Sequence, residues 1–403
     1  MFERLERLPD DPILGLMAAY RADPDPRKVD LGVGVYRDDD GETPVLKCVR
    51  EAERRVLERQ RTKTYVGAAG NASFNRAVEQ LALGADHSAL AAGRVRTIQG
   101  VGGCGALRLG AELVHAAAPR SVVHVSTPTW ANHVPLLTGC GLALERYPYY
   151  DPRTGAVDFS AMLTALDRLS PGSVVLLHAS CHNPTGADLA PEQWRELLTL
   201  IRRRGLLPFI DMAYQGLGAG VEADAYAARL YAAELPQVLI AVSCSKNFGL
   251  YRERAGTLMV VAATAAIAEA ALSQEVRIAR RLYSMPPDHG AAIVAEVLGD
   301  EALAAEWRGE VGAMRERIER LRGELVRALK VSCPRRDFGF IARQRGMFSF
   351  LGIDVAQVQA LREMHHVYMT EDSRINIAGL RGENLAYFAH AVGEVLGRAA
   401  TAR

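Results

Sequence analysis

Short apolar runs alternate with longer stretches of helical periodicity through the middle of the chain. The runs fall at residues 95–99, 121–125, 173–178, 206–210, 238–242 and 258–261. They are short and rich in Val, Ile and Leu, the pattern of strands covered on both faces. Helical periodicity fills the intervals, as at 106–118, 191–204 and 223–234. Pro191 stands where a first-turn proline belongs, and Gly205 where a helix ends on glycine. This alternation predicts an α/β fold with a mostly parallel sheet and a site at the carboxyl ends of its strands.

From about residue 290 the pattern changes. Residues 301–329 read as one long, charge-rich helix that spans a domain rather than a coiled coil, since the stretch is short for sustained heptads. Short strands are expected at 346–351 and 374–378, then a terminal helix at 383–399. The expected division is a large domain over 45–300 and a smaller α/β domain from 1–44 and 301–403.

Composition narrows the function classes. Lys and Arg number 48 against 47 Asp and Glu, a formal charge of +1. Nucleic acid and anionic membrane usually select a basic excess, so neither is expected as partner. The charged N-terminal stretch carries no apolar core of a secretory signal. The most apolar segment, 258–268, is too short to span a bilayer and reads as a buried strand followed by a helix. Cysteines 48, 104, 140, 181, 244 and 333 are scattered without a CxxC pair. No disulfide framework or metal site is expected, and a reducing cytoplasm is the natural compartment.

Four segments could carry chemistry. G-V-G-G-C-G at 100–105 follows a strand and opens a helix, so its backbone N–H groups can cradle an anion. Gly100, Gly102 and Gly105 match G-x-G-x-x-G, but a dinucleotide needs an acid at the end of the next strand, and S-V-V-H-V-S-T-P has none. A plain tight turn and a phosphate cradle of another kind remain. Lys246, in S-C-S-K-N-F-G-L-Y-R-E-R, is either a surface lysine or an imine-forming amine beside a phosphate held by Ser243, Ser245 and Arg254. Asp211 ends a buried strand and must be bonded there. It either caps the next turn or holds a proton on a heterocyclic nitrogen, with Tyr214 placed to donate to a phenolate oxygen of the same ring. In H-N-P-T-G at 182–186, Pro184 forces Asn183 to be extended and to project its amide. His178 and His182 are four apart but straddle a strand and a turn, which argues against a metal.

Taken in order, G-G-x-G-A-L-R, C-H-N-P-T-G, D-x-A-Y-Q-G, S-x-S-K-N-F-G-L-Y and S-R-I-N-I-A-G resemble the class I aminotransferases of the aspartate and aromatic amino acid group. The likeness covers nearly the whole chain, from D-P-I-L-G-L and V-D-L-G-V-G-V-Y onward. The resemblance implies a seven-stranded-type sheet with helices on both faces, and pyridoxal 5'-phosphate as cofactor. Lys246 would carry it as a Schiff base and, once freed, shuttle a proton. Asp211 would pair with the ring nitrogen, and Asn183 and Tyr214 with the ring oxygen. Trp130 would stack on the ring, while Gly102, Gly103, Cys104, Ser243, Ser245 and Arg254 would hold the phosphate. Tyr65 would reach that phosphate from a neighbouring subunit, which implies a homodimer. Arg374 would clamp the substrate carboxylate and Arg280, again from the neighbour, a side-chain carboxylate. Gly34, Tyr36 and Phe348 would line the pocket.

Three positions depart from the group. Cys104 replaces a hydroxyl, Met285 a small or polar residue, and Thr64 a residue that varies with substrate preference. A thiol is the weaker donor, and methionine adapts to apolar groups. Together they lean toward aromatic amino acids, with aspartate or glutamate and 2-oxoglutarate as the other half of a ping-pong cycle. The alternatives are an aspartate-specific or specialised biosynthetic aminotransferase, a β-lyase or decarboxylase, a nicotinamide dehydrogenase and a non-enzymatic binding protein. Both carboxylate arginines, Trp130 and the Lys246–Asp211–Asn183–Tyr214 set favour transamination.

Overall fold

The computed structural model describes residues 1–7 and 12–401. Asp11, which opens the D-P-I-L-G-L stretch, and the last two residues of the expected small domain lie outside the described residues.

A seven-stranded sheet organises the middle of the chain: β1 (Val95–Val101), β2 (Val122–Thr127), β3 (Ala143–Pro148), β4 (Val174–His178), β5 (Leu207–Met212), β6 (Val238–Ser243) and β7 (Ala255–Val261). Their order is β1-β7-β6-β5-β4-β2-β3. Strand β7 runs antiparallel to both neighbours, and the other pairings are parallel. Strands β4, β6 and β7 are buried at every position, so they are covered on both faces, as their unbroken apolar runs require. Strand β3 escaped the sequence reading for the converse reason. It lies at the edge, where only Tyr147 is buried and polar residues alternate with apolar ones outside the core.

The helix Gly102–Ala117 packs on the sheet through Leu107, Leu109 and Val114, which join Ile98, Val123, Phe209, Leu239 and Leu258 in one cluster. Ile278 and Ala279 of the helix Ala265–Leu282 close the same cluster. The helix Pro191–Arg204 begins at its proline and ends on Gly205 at φ 63, as the sequence predicts. The segment expected as one helix over 223–234 is two, Val221–Asp224 and Tyr226–Glu234. Among the described residues no helix is long and apolar enough to cross a membrane.

Because five strands run parallel from β2 through β6 and β7 runs the opposite way, their ends and starts meet at one edge. The carboxyl ends of β4, β5 and β6 carry His178, Asp211 and Ser243, and in register His178 lies beside Asp211. Strand β1 ends there by entering the glycine turn, and β7 begins there just after Arg254.

By contacts the chain forms two compact units. The larger comprises Pro44–Arg317 and Gln344–Gly346; the smaller comprises Met1–Thr43, Ile318–Arg343 and Met347–Arg403. The division falls inside the long helix Glu301–Ser332. Within the smaller unit, Phe348–Phe350 pairs antiparallel with Arg374–Asn376, and Val29–Asp30 parallel with Val367–Tyr368. Arg322 is buried in that unit and donates to the carbonyls of Ile341 at 2.9 Å and Phe348 at 2.6 Å.

Candidate active site

The glycine turn makes one end of the site in the larger unit. Gly102 adopts φ +65, and its N–H donates to the Arg254 carbonyl at 2.8 Å. A Cβ on Gly102 would stand 2.5 Å from the Arg254 guanidinium, so the arginine and the turn share one space only because no side chain intervenes. Arg254 Nη1 donates to Ser245 Oγ at 3.2 Å and to the Tyr251 carbonyl at 2.9 Å. A Cβ on Gly103 would meet that of Ser243 at 2.9 Å, and the Ser245 N–H donates to Ser243 Oγ at 3.3 Å. Cys104 lies in the first helical turn, its sulfur 3.8 Å from Asn132 Nδ2. The structure thus brings Gly102, Gly103, Cys104, Ser243, Ser245 and Arg254 together. With no acid in its first turn, the helix Gly102–Ala117 adds its positive dipole end to the guanidinium. Such a set suits a dianionic phosphate.

The second cluster surrounds Lys246, which is half-buried with its Nζ 5.2 Å from the centre of the Tyr214 ring. The Tyr214 hydroxyl accepts from Asn183 Nδ2 at 3.3 Å, and both side chains are buried. Asp211 is 8% exposed, and its Oδ2 lies 3.1 Å from His133 Nε2. Burial, the largest single influence on Asp211, would raise its pKa. The hydrogen bond with His133, together with the nearby Lys246 amine, outweighs burial and holds the carboxyl below its usual range. Trp130, partly exposed, meets His133 edge-on at 5.2 Å.

His133 is the residue that the sequence reading missed. No local spacing marks it, because its partner Asp211 is 78 positions away. Thr129 Oγ1 joins His133 Nδ1 at 2.8 Å to His178 Nε2 at 3.2 Å. His182 Nε2 meets Ser126 Oγ at 3.0 Å and its Nδ1 meets Thr185 Oγ1 at 2.9 Å. Burial, and then the neighbouring imidazoles, push His178 down to about 3 and His182 well below its ordinary value. Both rings are therefore neutral hydrogen-bonding spacers behind Asp211.

In the smaller unit, Gly34, Phe348 and Arg374 come together. Arg374 is buried, donates from Nη2 to the Gly32 carbonyl at 2.7 Å and lies with its guanidinium carbon 4.5 Å from the Phe348 ring centre. A Cβ on Gly34 would stand 2.8 Å from Phe348 Cζ. Asn376 Nδ2 donates to the carbonyls of Val33 and Val35, both at 2.7 Å, and so fastens the 32–35 loop beside the arginine. Tyr36 is buried in the same unit.

Tyr65 and Arg280 are left at the surface. Tyr65 is 90% exposed; Arg280 is exposed and hydrogen-bonded to Ser284 Oγ. The Val66 N–H beside Tyr65 donates to Met285 Sδ at 3.2 Å, which ties the two segments together.

Comparison with known proteins follows the same lines. An aromatic-amino-acid aminotransferase of Pseudomonas aeruginosa is 48% identical over 98% of each chain. An aspartate aminotransferase of Haemophilus influenzae is 43% identical over 98% of this chain and all of that one. The solved aromatic-amino-acid aminotransferase of Burkholderia pseudomallei, covalently bound to pyridoxal phosphate, superposes with a TM-score of 0.96 at 45% identity, covering 98% of this chain and 99% of that one. Residues 26–392 match the family described as aminotransferase class I and II, and the chain belongs to that family.

Proposed function

We propose that the chain is a pyridoxal phosphate-dependent aminotransferase. It takes the amino group of an aromatic amino acid, and also of aspartate or glutamate, and passes it to a 2-oxo acid such as 2-oxoglutarate in a ping-pong cycle. The observation that carries this reading is the half-buried Lys246 amine beside a carboxylate held ionised, with an anion cradle at the same strand ends.

The residues fit that cofactor. The glycine turn leaves space that a Cβ would fill, and Arg254, Ser243 and Ser245 suit its phosphate. Bound there, the cofactor supplies an electron sink for the pair released at the substrate's alpha carbon. Lys246 would hold it covalently and then move a proton at that carbon. Asp211, kept ionised by His133, would hold the proton on the ring nitrogen. Asn183 and Tyr214 would bond the ring oxygen, and Trp130 would cover a ring face. In the smaller unit Arg374, oriented by its bond to the Gly32 carbonyl, would grip the substrate carboxylate, with Gly34, Tyr36 and Phe348 as apolar lining. The larger unit is the cofactor-binding domain in this reading.

The exposure of Tyr65 and Arg280 supports a homodimer in which each serves the neighbour's site, Tyr65 at the phosphate and Arg280 at a side-chain carboxylate, and the six free cysteines suit a reducing cytoplasm. The adaptable thioether of Met285 beside Val66 supports an aromatic preference, as does the name of the Pseudomonas relative. The test is the absorbance of the purified holoenzyme with single amino acids and no 2-oxo acid. Phenylalanine and tyrosine should bleach the long-wavelength cofactor band at least as fast as aspartate. Bleaching by aspartate alone would instead make the enzyme aspartate-specific, and no bleaching by any of them would remove the assignment.

A further inference from the structure

Asn183 and Tyr214 lie outside regular structure, beyond the ends of β4 and β5. No sheet ladder fixes them, yet their side chains meet at 3.3 Å. Two acidic residues that no step above uses fasten the loops that carry them. Asp188 Oδ2 accepts from the Cys181 N–H and its Oδ1 from the His182 N–H, both at 2.8 Å. Asp224 Oδ2 accepts from the N–H groups of Gly216 at 2.8 Å and Gly218 at 2.9 Å, and its Oδ1 from that of Ala219 at 2.7 Å. The first set ends one residue before Asn183, and the second begins two residues after Tyr214.

The two fastenings also touch each other. Ser180, in the first loop, lies near enough to Asp224 in the second to lower its pKa. Gly218 is wedged between them, since a Cβ there would stand 2.6 Å from Asp224 Oδ1 and 3.0 Å from Cys181 Sγ. Cys181 itself is held at φ 59, a left-handed backbone that a non-glycine residue keeps only where its surroundings impose it. Burial raises both carboxyls, Asp188 to about 6 with the charge of Asp224 adding to the rise, while the donated N–H groups pull each the other way. The other charged or titratable neighbours of Asp188 are Arg345 and Tyr149.

We propose that Asp188 and Asp224 are positioning residues that together set where Asn183 and Tyr214 rest, and through them the hydrogen bonds to the cofactor's ring oxygen. This rests on the role assigned above to Asn183 and Tyr214. Neither carboxylate touches the reacting atoms. A carboxylate is needed because each must accept with both oxygens. An amide presents one oxygen and one NH2, so Asp188→Asn would set a donor against a donor at either Cys181 or His182, and Asp224→Asn would do the same in its loop.

The test is a spectrophotometric pH titration of the bound cofactor in the wild-type holoenzyme, Asp188→Asn, Asp224→Asn, Tyr214→Phe and the Tyr214→Phe/Asp224→Asn double variant. Tyr214→Phe should raise the midpoint of the colour change by about one pH unit or more, because a bond to the ionised ring oxygen is lost. Each Asn variant should shift it the same way by roughly a third of a unit or more, and the double variant should shift by less than the sum of its two single shifts, since Asp224 acts in part through Tyr214. Wild-type midpoints in both Asn variants, with Tyr214→Phe shifted, overturn this proposal and leave the site reading intact. An unshifted Tyr214→Phe overturns the site reading, and this proposal with it. If the Asn variants do not accumulate as holoenzyme, hydrogen exchange on the wild type decides. The amides of Cys181, His182, Gly216, Gly218 and Ala219 should be protected like those of β5, and exchange at open-loop rates overturns the proposal.

Discussion

Asp211 lies one residue before the end of strand β5, and Glu275 sits within the helix Ala265–Leu282 of the same unit. Both carboxyl groups are taken out of water, Asp211 to 8% exposure and Glu275 to 0%. Asp211 is held below the ordinary carboxylate range, whereas Glu275 is pushed up to about 9, first by burial and then by the charge of Glu112. The difference lies in the neighbours. Asp211 has an imidazole at 3.1 Å and the Lys246 amine in range, while neither oxygen of Glu275 has a hydrogen-bond partner among the described residues. Glu112, whose charge adds to that rise, is itself paired with Arg108 at 2.6 Å. Burial without a hydrogen-bond partner therefore yields a neutral acid in the scaffold, and burial with an imidazole bond and a nearby amine yields an ion at the site.

The contrast can be broken at several points. Lys246→Ala removes the amine proposed to react, which also helps to hold Asp211 ionised. Turnover should fall by at least about 10⁴-fold in a steady-state assay, and a variant with full turnover would sink the account. Asp211→Asn keeps the shape and deletes the charge. A loss on the order of 10²–10³-fold in kcat is expected, with circular dichroism unchanged. His133→Ala acts one step further back. Loss of a hydrogen bond to a charged group, worth roughly 1.5–3 kcal/mol, should raise the Asp211 pKa. The acid limb of the pH–rate profile should then move to higher pH, and an unmoved limb would deny His133 its part.

Glu275→Gln gives the smallest effect on catalysis and tests the other half of the contrast. A raised native pKa means that the folded state holds a proton which the unfolded state releases. The resulting stabilisation is complete below the unfolded pKa and is lost as pH rises toward about 9. Relative to wild type, the Gln variant should gain about 1 kcal/mol per pH unit across that window, read by denaturant unfolding, with turnover unchanged. Parallel stability profiles would mean that Glu275 is ionised in the native state.

Much of this was legible before any coordinates. Apolar runs located β1, β2 and β4 to β7, most plainly β4, β6 and β7, which are buried at every position and therefore mostly apolar. Strand β3 was silent because its side chains are mostly exposed. Lys246, Asp211 and Asn183 could be singled out because each follows or ends a buried strand, where a polar group needs a reason. His133, Asp188 and Asp224 could not, since their partners are backbone groups or distant residues that only the fold brings near. The split of the long helix between units was equally hidden, because its periodicity runs on without a break.

The central claim is that Lys246 holds the cofactor beside an ionised Asp211. Borohydride reduction of the holoenzyme followed by peptide mass mapping tests it most directly. The account predicts that the reduced cofactor is found on the peptide that contains Lys246. Its stoichiometric recovery on Lys28, Lys47, Lys63 or Lys330, or on no lysine after reconstitution, would contradict it.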